Sequence, residues 1–145
     1  MSRPNFIKKK AENNFIVRWA EPRLSHPDWN EDPDAVVWVS VEKLDQAWMK
    51  GDHLYIGRGG SGATIEDRYV RFGHWLSKTT KAVEMPIVSL DGDGIAFTDG
   101  RHRFAWLRDH GVTAIPVQVP PEEAPNFEKL FGTAVRVSIV TKMSV

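Results

Sequence analysis

The sequence has no cysteine, no excess of either charge and no long hydrophobic run. Without a thiol, disulfide frameworks, thiolate zinc sites, iron–sulfur clusters and cysteine nucleophiles are excluded. No apolar segment approaches the ~20 residues that cross a bilayer, and the first 15 residues lack the hydrophobic centre of a signal peptide. We therefore expect a cytoplasmic protein with no membrane partner.

The charges balance, with 19 Lys and Arg residues against 19 Asp and Glu residues. A molecule without net charge has no long-range field that would attract polyanions, so any contact with nucleic acid must be local. The five histidines (His26, His53, His74, His102 and His110) show no metalloprotease spacing such as H-E-x-x-H. We expect no metal site built from them.

The length of 145 residues is typical of one domain that needs no disulfide or metal for stability. The first 35 residues contain four prolines and one short strand candidate, Phe15 to Trp19, which predicts an N-terminal arm over 1–35 and a domain over 36–145. Strand and helix patterns alternate after residue 35. This alternation predicts an α/β fold, a mixed sheet with helices packed on it.

Hydrophobic periodicity and turn residues predict the individual elements. The predicted strands are 36–39, 53–56, 85–90, 95–98, 115–119 and 135–140, and the predicted helices are 41–50, 64–78, 101–110 and one within 120–131. Ser40 is expected to cap the first of these helices, and Thr64 with Asp67 forms a capping-box pattern for the second. The Asp-Gly pairs of 91–94 predict a hairpin turn.

The most informative segment joins a strand to a helix through Asp99 and Gly100. The first helical turn then carries Arg101, His102 and Arg103, although the partial positive charge of a helix start favours acidic residues. Two guanidinium groups and free helix N–H groups suit the oxygens of a phosphate. The segment therefore predicts an anion site, with pairing of the arginines to nearby carboxylates as the structural alternative.

Other side chains extend this prediction. If Asp99 caps the helix, it partly offsets the charge of these arginines. Phe104 and Leu107 are expected to face the core, whereas Trp106 shares a second face with His102 and offers an indole for a base to stack on. The loop Gly57-Arg58-Gly59-Gly60-Ser61-Gly62 fits G-x-G-x-x-G, but the acid that would bind a ribose is missing. It is expected to place Arg58 and Gly59 over a bound phosphate, or to serve only as a connection.

The segment 86–119, PIVSLDGDGIAFTDGRHRFAWLRDHGVTAIPVQV, resembles the ParB/sulfiredoxin superfamily, whose members share a hairpin, a DG-x-HR turn into a helix, and a following IPV strand. The resemblance implies the ParB/sulfiredoxin fold. It also implies nucleotide phosphates at Gly100, Arg101, His102 and Arg103. Sulfiredoxins have a catalytic cysteine immediately before the His-Arg pair, where this chain has Arg101, so sulfinate reductase chemistry is excluded.

Partition ParB proteins continue from this turn into a helix-turn-helix region, whereas we expect this chain to be a short, free-standing member, similar to plasmid fertility-inhibition factors. That resemblance implies ATPase or DNase activity, with ATP or another nucleotide and Mg²⁺ as cofactors. Arg101 and Arg103 would then stabilise phosphoryl charge, His102 would transfer a proton, and Asp99 would hold Mg²⁺ or water. The alternative is a non-catalytic adaptor or inhibitor that binds DNA or a protein partner, such as a conjugation or secretion component.

Overall fold

The computed structural model describes residues 14–22, 33–52, 54–62 and 66–141, and the fold is given for these residues. The strands are β1 (Phe15–Ile16), β2 (Ala35–Ser40), β3 (Ile87–Asp91), β4 (Gly94–Asp99), β5 (Ala114–Val119) and β6 (Ile139–Val140). The helices are α1 (Val41–Gly51), α2 (Glu66–Lys78), α3 (Arg101–Asp109) and α4 (Ala124–Phe131), with 3₁₀ turns at Arg58–Gly60 and Pro121–Glu123.

A four-stranded mixed sheet organises the domain, with strand order β2-β5-β3-β4. The β2–β5 and β3–β4 pairs are antiparallel, whereas β3 and β5 run parallel. All six residues of β5 are buried, because this strand lies inside the sheet with other elements on both faces. Strands β1 and β6 form a separate antiparallel pair. The predicted α/β class with a mixed sheet is confirmed.

Helix α1 begins where the sequence predicts, because the Ser40 hydroxyl accepts a hydrogen bond of 3.2 Å from the Lys43 amide. The predicted hairpin turn is also confirmed, since Asp91 pairs with Gly94 across the end of β3 and β4. The proposed Thr64 cap and the residue His53 lie outside the described residues.

Two strand predictions are wrong over the described residues. Residues 54–57 form no strand: the Asp52 side chain and carbonyl accept the amides of Leu54 and Tyr55, and the Ile56 carbonyl accepts from the Arg108 guanidinium. These local partners replace the ladder that a strand would need. The last strand covers only Ile139–Val140, opposite the equally short β1.

Helix α3, which begins with Arg101, His102 and Arg103, is buried on most of its surface. Phe104 and Leu107 are fully buried, as predicted. The expectation for Trp106 is wrong, because its ring is only 6% exposed and stacks on His110 at a centroid distance of 3.6 Å. Trp106 also packs against α2 at Gly73, where an added Cβ would lie 2.4 Å from the indole Nε1. Trp106 is thus a core residue that holds α2 and α3 in close contact.

Candidate functional site

The turn into α3 depends on Gly100. This residue is the N-cap and has a left-handed backbone, with φ of +88° and ψ of 15°. An added Cβ would lie 2.9 Å from the Pro86 Cα, so the turn also needs the small side of glycine. No side chain caps the helix, so Asp99 does not act as its cap. The Asp99 carboxylate instead lies 3.9 Å from the Arg103 guanidinium.

A cavity of about 500 Å³ opens beside this turn, between the start of α3 and one face of α2. This volume lies within the ~300–1,000 Å³ typical of small-molecule sites. Its lining residues are Arg68, Arg71, Phe72, Trp75, Asp99, Gly100, His102 and Arg103. The structure thus brings four of the residues that the sequence singled out into one cavity wall, and adds four from α2.

The α2 wall was missed in the sequence, although a signal exists. Arg68, Arg71, Phe72 and Trp75 are spaced i, i+3, i+4 and i+7, so one face of the helix carries all four. Two further residues of α2, Tyr69 and Leu76, are buried in the core. The apolar spacing indicates which face of α2 is buried. That the adjacent face of α2 lines a cavity depends on how α2 packs beside α3.

The cavity is cationic. Arg68, Arg71 and Arg103 contribute three guanidinium groups, and Asp99 is the one carboxylate among the lining residues. Arg71 also pairs with Asp67 at 3.1 Å on the exposed side of α2. The Arg103 Nε donates a hydrogen bond of 3.0 Å to the Glu84 carbonyl, which fixes the direction of that side chain. Each guanidinium has five N–H donors, so these contacts are compatible with further contacts to an anion.

His102 lies in the same wall and is only 9% exposed. Its Nε2 is buried and has no hydrogen-bond partner among the described residues. Burial lowers the pKa of His102 below its ordinary value, and the charges of Arg101 and Arg68 lower it further. The imidazole is therefore neutral at pH 7 and able to accept a proton. A buried polar atom without a hydrogen-bond partner costs free energy.

Arg101, although expected at the anion site, is not among the residues that line the cavity. It is half-buried, and its charge acts on His102. The Gly-rich loop lies elsewhere: the Gly59 amide donates to the Asp109 carboxylate at 2.9 Å, and Arg58 lies 3.6 Å from it. Asp109 ends α3, roughly 12 Å along the helix axis from its start. The structure therefore does not bring Arg58 and Gly59 to the cavity.

Asp109 is the centre of a buried network that sequence reasoning missed. Its carboxylate accepts hydrogen bonds from the Tyr69 hydroxyl at 2.6 Å and the Arg108 Nε at 2.9 Å, besides the Gly59 amide. Arg108 also bonds to Asp45 at 2.9 Å. Because Tyr69 belongs to α2, this network fixes the helix that carries the α2 wall of the cavity. No local pattern in the sequence indicates it.

These hydrogen bonds set the protonation of the network. Burial favours the neutral carboxyl of Asp109, but the bonds from Arg108, Tyr69 and Gly59 outweigh burial and hold its pKa below the ordinary value. Burial and the bond to Asp109 raise the pKa of Tyr69. The network therefore contains a carboxylate, a guanidinium and a neutral phenol over the whole physiological range.

The tryptophan at the cavity is Trp75 rather than Trp106. The Trp75 side chain is 40% exposed and lies 5.8 Å from the Phe72 ring, measured between centroids. Within the described ranges, no cluster of three or more metal-ligating side chains occurs, and no helix has the length and apolar character to cross a bilayer.

The comparisons with known proteins come from a family model, curated proteins and solved structures. The model of the plasmid fertility inhibition factor family matches residues 36–132, about two thirds of the chain. No curated protein matches. A crystal structure of the oncogenic suppression activity protein, described as a plasmid fertility inhibition factor and solved as a gold(I) cyanide derivative, is 21% identical. The match covers 96% of this chain and 88% of that one, with a TM-score of 0.47. On the family match, the chain belongs to the plasmid fertility inhibition factor family.

Proposed function

We propose that this fertility inhibition factor binds a nucleotide or a related phosphate ester in the cavity between α2 and α3. One observation carries the proposal: His102 is nine-tenths buried in a wall that also holds three arginines, and its Nε2 lacks a partner among the described residues. A polyanion would supply acceptors for the guanidinium groups at the start of α3 and on α2.

The lining residues would have two roles, to neutralise the charge of the ligand and to let it approach the backbone. Arg68, Arg71 and Arg103 would neutralise the phosphate oxygens, and the turn at Gly100 would let the ligand approach the backbone. Magnesium usually binds through one or two carboxylates together with substrate phosphates. Asp99 is the single carboxylate among the lining residues. One carboxylate is compatible with a Mg²⁺ ion that binds together with the ligand phosphates, but it is too few for a site built from protein ligands alone.

If the bound ester is hydrolysed, His102 is the residue to accept the proton. Water would attack phosphorus, the bond from phosphorus to the leaving oxygen would break, and the water proton would pass to the neutral imidazole before it reaches the leaving group. The arginines would stabilise the charge on the transferred phosphoryl group. ATP and DNA both contain a bond of this class, so both remain proposed substrates.

Calorimetry of the full chain with ATP, ADP, CTP, GTP and inorganic tripolyphosphate, with and without Mg²⁺, tests binding. Arg68→Gln should weaken affinity by about 10-fold to 100-fold, the value of a hydrogen bond to a charged group. His102→Gln should weaken it as well. Matched controls are Arg136→Gln and His74→Gln, because both residues are exposed and neither lines the cavity. Absence of binding by the wild type, or equal losses in the controls, would refute the proposal.

A second candidate is a non-catalytic inhibitor that binds a conjugation component or DNA, and membership of an inhibition-factor family favours it. Phosphate release and plasmid transfer from donor cells separate the two. Loss of both hydrolysis and transfer inhibition in His102→Gln supports the enzyme. Retained inhibition without hydrolysis supports the inhibitor. For DNA, a steep fall of affinity with salt is expected.

Membership of the ParB/sulfiredoxin superfamily, the arm over 1–35 and the cytoplasmic location stay predictions.

A further inference from the structure

A second cavity, of about 290 Å³, lies beside the first. Its lining residues are Phe72, Trp75, Lys81, Ala82, Glu84 and Arg103. Phe72, Trp75 and Arg103 also line the first cavity, so the two cavities adjoin at these residues. We call them the arginine lobe, with Arg68, Arg71 and His102, and the tryptophan lobe, with Lys81 and Glu84.

The tryptophan lobe differs in chemistry from its neighbour. Its charged residues besides the shared Arg103 are one lysine and one glutamate, so it has little excess charge for a phosphate. Its aromatic surface is the Trp75 ring, which it shares with the arginine lobe and which is 40% exposed and packs near Phe72. A flat aromatic face beside a donor and an acceptor suits a planar heterocycle, which stacks through its π-face and uses hydrogen bonds along its edge.

Arg103 lies where the two lobes join. Its Nε bonds to the Glu84 carbonyl, while its Nη2 lies 3.9 Å from the Asp99 carboxylate. The side chain thus reaches from the segment that lines the tryptophan lobe to the turn that lines the arginine lobe. A ligand that occupies both lobes would pass this guanidinium group.

We propose that the tryptophan lobe is the base subsite of a nucleotide whose phosphates occupy the arginine lobe. The inference rests on the proposed function, since it assumes that phosphates bind beside His102. Trp75 stacks on the base, and Lys81 and Glu84 contact its edge. The protein therefore distinguishes a nucleotide from a bare polyphosphate through Trp75.

Calorimetry with ATP and with inorganic tripolyphosphate tests the base subsite separately from the phosphate site. The wild type should bind ATP about 5-fold to 150-fold more tightly, because stacking of one base on an aromatic ring contributes about 1–3 kcal/mol. Trp75→Ala should remove this advantage, measured as the ratio of ATP affinity to tripolyphosphate affinity, whereas Trp75→Phe should keep most of it. Val70→Ala is the matched control, because Val70 is an exposed apolar residue of α2 outside both cavities.

The outcomes separate the two proposals. If tripolyphosphate binds and ATP binds no better, the base subsite is refuted and the phosphate site stands. If Trp75→Ala weakens both ligands equally, Trp75 supports the cavity structure and does not read a base. If neither ligand binds, both proposals fail. A melting temperature for each variant shows whether a lost affinity reflects lost folding.

Discussion

Asp109→Asn tests the buried network that holds α2 on α3. The substitution keeps the shape of the side chain but removes the charge that faces Arg108, whose side chain is only 3% exposed. Hydrogen bonds to charged groups contribute ~1.5–3 kcal/mol each, and breaking a buried ion pair costs ~3–5 kcal/mol. Because Asp45 still pairs with Arg108, we expect a loss of about 3 kcal/mol in the free energy of unfolding.

Urea unfolding at pH 7 measures this loss. With slopes of ~1–3 kcal/mol/M, the midpoint should fall by roughly 1 to 3 M. Asp67→Asn is the matched control, because the Asp67–Arg71 pair is exposed by 64% and 67% and such pairs contribute ~0–1 kcal/mol. A loss in Asp109→Asn no larger than in Asp67→Asn would refute the reasoning.

The pH dependence gives an independent check on Asp109. The folded protein holds the pKa of this carboxyl below its ordinary value, so its stabilising effect is present above about pH 4 and is lost as pH falls through the folded-state pKa. Wild-type stability should therefore fall more steeply below pH 4 than that of Asp109→Asn. Parallel acid profiles for the two proteins would contradict the assignment.

Three further predictions concern the turn and the helix contact. Gly100→Ala should lower the free energy of unfolding by roughly 2–4 kcal/mol, because alanine is strained in a left-handed backbone and its Cβ would clash with Pro86. An unchanged midpoint in urea unfolding would contradict this. Gly73→Ala should destabilise by ~1–3 kcal/mol, because Trp106 blocks the new methyl, whereas an unhindered site would gain ~1 kcal/mol of helix propensity. Since the fold keeps His102 neutral, ligand-free stability should fall as pH drops below about 6.5 toward the folded-state pKa, and His102→Gln should lack this change; identical profiles would be the contrary result.

Local sequence signals predict much of the fold and one half of the cavity. The Ser40 cap, the Asp91–Gly94 turn and the start of α3 after Gly100 are set by neighbouring residues, and all three are found. The cationic first turn of α3 is likewise visible in the sequence. Such features need no knowledge of what packs against them.

The other half depends on tertiary packing. Trp106 has the spacing of an exposed aromatic beside His102, but Gly73 lets α2 approach so closely that the indole is buried. The same approach places Trp75 at the cavity. The G-x-G-x-x-G loop resembles a phosphate loop, yet the Asp109 carboxylate already accepts its Gly59 amide. Neither pairing has a local signature.

A titration of the His102 imidazole by NMR, with and without tripolyphosphate, is the most direct test of an anion site at this helix start. Without ligand, His102 should titrate below about 6.5 because burial and two nearby arginines oppose its charge. Bound anion should offset those charges, so the pKa should rise and the imidazole signals should shift. His74, which does not line the cavity, is the control. If the His102 signals do not change at saturating tripolyphosphate, or change no more than those of His74, the account is contradicted.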